Sequence, residues 1–193
     1  MKILGISCSP RPGGNTEILV KEALTAAKKA GAETEFVSII GKNIAPCDGC
    51  GICRQIGSCV VEDDMQQILR QMEQADAILL GSPVYLLSVS AQAKIIMDRT
   101  NVFLKDKRLK LKVGAPIIAV RRVGGGMTRT LLYNFFISHG MITVKGALGY
   151  GMDPGDVEQG VGGAPGSTAL GEARDTAREV MEMVTFLQRP KDY

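Results

Sequence analysis

Long apolar runs are missing from this sequence. No stretch approaches the roughly 18 consecutive apolar residues that a membrane span requires, and the opening MKILGISCSP has only a short apolar run before Ser7 and Pro10, too short for a secretory signal core. An excess of either charge is missing too: 23 basic residues stand against 20 acidic ones, a formal +3 dispersed along the chain. No nucleic-acid footprint is built from that balance. Two familiar nucleotide signatures are also absent, the G-x-x-x-x-G-K-[ST] of an NTP loop and the G-x-G-x-x-G of a dinucleotide fold. The chain has one histidine, His139, placed where a helix is expected to end before Gly140; it reads as a capping or packing residue, not a metal ligand. These absences predict a cytoplasmic protein with no membrane and no nucleic-acid partner.

What is present is 193 residues, 45% of them hydrophobic, enough for one sizeable core and hence a single domain over residues 1–193. Five cysteines, an odd number, without a secretory signal predict reduced thiols and point to metal or redox chemistry before a disulfide framework. Four of them fall within residues 47–59. The fifth, Cys8, reads as a small residue required beside tightly turning backbone.

Short apolar, partly β-branched runs alternate with stretches of helical period, the pattern of a parallel sheet covered on both faces. Five strands are predicted: Lys2–Ser7, Glu33–Ile39, Asp76–Ser82, Val113–Arg121 and Met141–Leu148. A helix is expected over residues 15–30, where Leu19, Ala23, Ala26 and Ala30 recur before Gly31, and another from Asp63 or Asp64. In the last helix Ala173, Ala177, Val180, Val184 and Leu187 form one stripe, with Pro190 as its stop. The Gly- and Pro-rich residues 149–166 before it are expected to be a surface loop. The arrangement is α/β: a flavodoxin-like, doubly wound, five-stranded parallel sheet of order 2-1-3-4-5, whose ligands sit beyond the carboxyl ends of the strands.

The loop after the first strand, SCSPRPGGNTEIL, supplies hydroxyls from Ser7, Ser9 and Thr16, the Asn15 amide, the Arg11 cation and flexible backbone at Gly13 and Gly14, all at a helix N-terminus. Such convergence makes an anion cradle. An N-cap alone needs only one of these groups. The loop resembles the FMN-phosphate loop of flavodoxin-like flavoproteins related to NADPH-dependent FMN reductases, in which a similar GSPRxxGNT follows a strand. That resemblance extends to two more loops. It assigns Pro83, Val84, Tyr85 and Leu86, in GSPVYLLSVSAQAK, to contacts along the flavin ring. It assigns Gly124, Gly125 and Gly126, in RRVGGGMT, to close backbone approach to the ring. FMN is thus the cofactor it implies, held by Ser7, Ser9, Arg11, Gly14, Asn15 and Thr16 with these two loops.

Cys47, Cys50, Cys53 and Cys59 form a continuous CxxCxxC run followed, after five residues, by a fourth thiol. A cubane presents separate iron corners, so a loop winding around it can offer one thiolate every third residue. Structural zinc usually takes two CxxC pairs from separated segments. The spacing therefore favours a 4Fe-4S cluster held in a loop over residues 44–62, with zinc and free or disulfide-bonded thiols as the alternatives. Gly49, Gly51 and Gly57 let that loop wind tightly. It is not a ferredoxin domain, whose fourth cysteine follows after three residues with a proline behind it.

An FMN fold with this cysteine run after strand two resembles the iron-sulfur flavoproteins of anaerobic archaea and bacteria over nearly the whole chain. The resemblance implies a flavin-dependent oxidoreductase that takes electrons from a ferredoxin-like donor through the cluster to FMN. It also implies a small acceptor such as oxygen, peroxide or a quinone, and a homodimer or homotetramer. Two other readings remain open: an NAD(P)H-dependent FMN or quinone reductase whose cysteine loop is structural or binds zinc, and a non-catalytic interaction module. No residue stands out as a general acid or base beyond Tyr85, Arg121 and Arg122.

Overall fold

Strands buried on both faces have no polar side to show, and three of them form the centre of the sheet. In the computed structural model, which describes residues 1–159 and 168–189, these are β1 (Lys2–Ser7), β3 (Ala77–Tyr85) and β5 (Val113–Val120). β5 is buried at every position. The more polar β2 (Glu33–Ser38) takes an edge, where one side meets water. β1 pairs in parallel with both β2 and β3, and β3 with β5.

Helices α1 (Asn15–Lys29) and α6 (Ala169–Leu187) cover one face of the sheet. Their stripes Leu19, Val20, Ala23, Leu24, Ala27 and Ala173, Ala177, Val180, Val184 pack against Ile3, Leu79 and Ile117. On the other face lie α3 (Met65–Gln74), α4 (Ala91–Arg99) and α5 (Gly125–Ser138), built on Met65, Ile68, Met72, Ile96, Leu132 and Phe136. A four-residue helix, α2 (Cys53–Ile56), stands in the segment between β2 and α3. Of the predicted stripes Leu19, Ala23, Ala173, Ala177, Val180 and Val184 are buried, whereas Ala26 and Leu187 are half-buried and Ala30 is exposed as the C-cap of α1, which ends as expected before Gly31, at φ +93°. The Pro190 stop lies outside the described residues.

Among the described residues the sheet has seven strands where five were expected. Order β2-β1-β3-β5 is as predicted, but the fifth strand is broken into β6 (Ile142–Thr143) and β7 (Ala147–Tyr150), both parallel to β5 on the same side. Pairing runs Gly114 with Thr143 and then Ile117 with Ala147. Two residues of β5 therefore face three of its neighbour, which is a bulge. The cause is Pro116, which has no N–H to donate to the ladder. Opposite it Gly146 sits at φ +72°, so close to the Pro116 carbonyl oxygen that a Cβ has no space. Gly146→Ala is expected to destabilise the fold by about 1–3 kcal/mol through strain and overlap, read as a lowered midpoint in urea unfolding.

The other extra strand arises because β3 runs past Ser82 to Tyr85 and turns back as β4 (Ser88–Val89). The two turn residues, Leu86 and Leu87, have φ +47° and +65°, as a two-residue hairpin of this twist demands and as leucine resists. The segment expected to be a loop from residue 149 begins instead with the end of β7. It continues to a 3-10 turn at Asp156–Gln159, and residues 160–167 lie outside the described residues. Among the described residues no helix is long and apolar enough to cross a membrane.

Candidate functional site

At the carboxyl ends of β1, β3 and β5 lies an open cleft of about 260 Å³. Its floor is the loop that enters α1. Gly14 precedes the helix in extended conformation and no side chain among the described residues caps the N-terminus, so the first-turn amides and the positive end of a 15-residue helix keep their capacity for an anion. A Cβ on Gly14 would meet the Arg11 carbonyl at 3.1 Å and Ser9 Oγ at 3.3 Å, which explains the glycine. Ser9 Oγ accepts the Arg11 N–H at 3.2 Å, shaping the turn. Ser9, Arg11, Gly14, Asn15 and Thr16 all line the cleft, with Pro83, Val84 and Tyr85 from β3 forming a wall.

Asn15 does something the sequence did not indicate. Its Nδ2 donates to the Asp153 carbonyl at 2.9 Å and its Oδ1 accepts the Gly155 N–H at 3.0 Å. Both ends of the amide are thereby engaged on the turn after β7. Asp156 rigidifies the same turn by accepting the N–H groups of Met152 and Asp153, and those backbone bonds, Asp153's first, hold its carboxyl below the ordinary range. Gly151 has no side chain because a Cβ would stand 2.5 Å from Asn15 Nδ2. The clasp brings Gly151, Met152 and Pro154 into the cleft.

Other expected residues lie outside that lining. The Ser7 hydroxyl is fully buried and has no hydrogen-bond partner among the described residues. Leu86 is wholly exposed at the hairpin tip. Gly124 sits at φ +94° with its missing Cβ 3.0 Å from Leu87 Cα, so it lets the loop before α5 pack on the hairpin. Gly125 is buried against Leu148, and Gly126 is open to solvent. Ala119, Val120 and Arg121 line the cleft from the end of β5; of these only Arg121 stood out in the sequence.

A second cavity, about 160 Å³, lies against the far end of α4 and is lined by Cys47, Cys50, Cys53 and Cys59 together with Val60, Val61 and Val102. All four thiols are unpaired. Among the described residues, no three His, Cys, Asp or Glu side chains form a group able to hold a metal ion as placed; the thiols surround the cavity. Gly49, Gly51 and Gly57 take φ of +74°, +74° and +75°, the winding their positions predicted. Asp48 accepts the Cys50 N–H at 3.0 Å, a local turn that presents Cys50 and, as the main cause, lowers the Asp48 pKa.

The loop is anchored by residues no motif pointed to. Arg99, 2% exposed at the end of α4, donates from Nη1 to the Ala45 carbonyl (2.7 Å) and Asp63 Oδ2 (2.6 Å). Its Nη2 donates to the Val61 carbonyl (3.3 Å) and Asp63 Oδ1 (3.0 Å). Gln66 donates to the carbonyls of Cys59 and Val61, and Arg108 to that of Gly57. Cys8, by contrast, is fully buried in the core, its thiol pushed up to about 12 by desolvation. His139 is buried at the end of α5, where Nε2 and Thr100 Oγ1 share a hydrogen bond of 2.9 Å and burial lowers its pKa. Both are packing residues, as expected.

Among the described residues the cleft and the cysteine cavity share no lining residue. They lie toward opposite ends of α4, whose first turn is tied to the cleft side by Ser90 Oγ donating to the Cys8 carbonyl and Ser82 Oγ accepting the Ser90 N–H. Nine residues of helix, roughly 13 Å, separate the ends.

Residues 1–153 match the family described as NADPH-dependent FMN reductase. The chain is 41% identical over 199 residues to an iron-sulfur flavoprotein of Methanocaldococcus jannaschii, covering 98% of this chain and 100% of that protein. It is 36% identical over 199 residues to an iron-sulfur flavoprotein of Methanosarcina thermophila, with 100% of each covered. Among solved structures, the flavodoxin-type, WrbA-like protein of Agrobacterium tumefaciens superposes with a TM-score of 0.66 at 16% identity, over 97% of this chain and 98% of that one. At that identity the likeness concerns the fold alone.

Proposed function

The chain belongs to the NADPH-dependent FMN reductase family, as one of its iron-sulfur flavoproteins and thus a flavin-dependent oxidoreductase, and on that premise we propose that it passes electrons between a 4Fe-4S cluster in the cysteine cavity and FMN in the cleft. The observation that carries this reading is that four unpaired thiols surround one cavity in a chain that also presents an uncapped helix N-terminus among hydroxyls. The cavity suits a group larger than a single ion, and Val61 and Val102 give it part of an apolar wall. The cleft suits a phosphomonoester beside an apolar wall. When bound, the cluster carries electrons singly and the flavin accepts one or two.

In this reading Cys47, Cys50, Cys53 and Cys59 hold the cluster. The first-turn amides of α1, with Ser9, Thr16 and Arg11, hold the phosphate; Pro83, Val84 and Tyr85 lie along the ring. Asn15 acts indirectly, by clasping the turn that closes the cleft. The donor is a ferredoxin-like protein, the acceptor a small oxidant such as oxygen, peroxide or a quinone, and the working unit a homodimer or homotetramer.

The test is anaerobic purification with iron, acid-labile sulfide, zinc and flavin quantified per chain. About four irons, four sulfides and one FMN are expected. Zinc, or no metal, with FMN present would move the assignment to a nicotinamide-dependent reductase, the reading the family description itself favours, and anaerobic NAD(P)H oxidation would then be the decisive assay. Asn15→Ala, which forfeits two hydrogen bonds to the closing turn, is expected to weaken FMN binding roughly tenfold, about 1.4 kcal/mol. Fluorescence titration of the apoprotein with FMN reads that loss.

A further inference from the structure

Arg99 has five N–H donors, and the structure accounts for four. The two on Nη1 go to Ala45 and Asp63, and the two on Nη2 to Val61 and Asp63. The fifth, on Nε, is buried and meets no acceptor at hydrogen-bond geometry among the described residues. An unmet charged donor in the interior is costly, and Arg99 is itself a wall of the cavity that the four thiols surround. Cys59 lies close enough to the guanidinium to interact with it electrostatically.

The charges around that cavity are unequal in reach. Asp48 and Arg54 are exposed, and Asp98 is exposed and paired with Lys94, so water and salt screen them. Arg99 and Asp63 have side chains only 1% and 4% exposed, and their fields act through protein. Both ends of the loop, at Ala45 and Val61, are held by the same guanidinium. A group bound inside is therefore positioned by Arg99 and lies within the least screened field in its surroundings.

Resting on the cluster reading above, we infer that Arg99 is the positioning residue of the cysteine cavity, stapling both ends of its loop and directing its free Nε–H and its buried charge toward the Cys59 side of the cluster. The consequence is a raised reduction potential, because a reduced cluster carries one more negative charge than an oxidised one and a fixed cation favours it. Asp63 opposes this, since its carboxylate offsets part of the same charge.

The experiment is spectroelectrochemical titration of the reconstituted protein and of Arg99→Gln, Arg99→Lys and Asp63→Asn, with iron and sulfide counted in each. Arg99→Gln is expected to shift the cluster midpoint to more negative potential and Asp63→Asn to more positive potential, with Arg99→Lys, which keeps the cation, between Arg99→Gln and the parent. Unshifted midpoints, or shifts of one sign whichever charge is removed, overturn the inference and leave Arg99 a packing residue. Hydrogen exchange in the metal-free chain reads the staple separately: Arg99→Gln should speed exchange across residues 45–61. A parent protein that takes up no iron or sulfide overturns the cluster reading, whereas unchanged exchange overturns the staple.

Discussion

Cys50→Ala is expected to abolish iron and sulfide binding while leaving FMN bound at parental stoichiometry. Cys50 is the middle thiol of the run, exposed and presented by the Asp48 turn between Gly49 and Gly51 in left-handed conformation. Its backbone is fixed by that turn, so removing the sulfur leaves the presenting loop intact and takes away one ligand. Three thiolates leave one iron of a cube without a protein ligand. The cleft shares no lining residue with the cysteine cavity among the described residues, which is why flavin should remain. The fold should also remain, because an exposed side chain contributes little to stability. The colour change is the readout: the broad cluster absorption disappears and the flavin bands stay. Iron retained at the parental level would remove Cys50 from the ligand set, and loss of flavin together with iron would show that the two sites are coupled through the chain.

The parts of this protein that could be read from sequence are those with local causes. β1, α1 and α6 follow from periodicity, and the glycines of the cysteine run from the need for tight winding. The broken edge strand was illegible because its cause is a pairing between Pro116 and Gly146, thirty residues apart, and neither is unusual alone. The same holds for Asn15, which as part of GGNT looked like another anion donor. Its actual partners, Asp153 and Gly155, lie beyond the last strand and carry no signature of their own. Only the Gly-rich GYGMDPG hinted that this turn approaches something closely. Arg99 and Asp63 were the hardest to see: one basic and one acidic residue, 36 positions apart, indistinguishable in sequence from surface charges that never meet.

Their pairing makes the second large effect calculable. Asp63→Ala is expected to lower the free energy of unfolding by about 3–5 kcal/mol, the usual loss when one partner of a buried ion pair is removed and the other stays behind. Against a total of roughly 5–15 kcal/mol that is a large fraction, and urea unfolding of the metal-free protein measures it. Asp63 also accepts the Ala45 N–H at 2.9 Å and the Met65 N–H at 3.0 Å, so Ala45 and the start of α3 lose their acceptor together with Arg99. Replacing both partners, as Asp63→Leu with Arg99→Met, is expected to recover part of the loss, because no charge then remains buried without a counterpart. The pH dependence has a definite sign. Burial pushes the Asp63 carboxyl upward, but Arg99 and the two backbone amides overcome it and hold the folded-state pKa below the ordinary 3.8. A depressed carboxyl contributes stability that is complete above the unfolded-state value and is lost as pH falls through the folded one. Unfolding free energy should therefore slope downward below about pH 4 in the parent and more shallowly in Asp63→Ala. Parallel slopes in the two proteins would mean that other carboxylates carry the acid sensitivity.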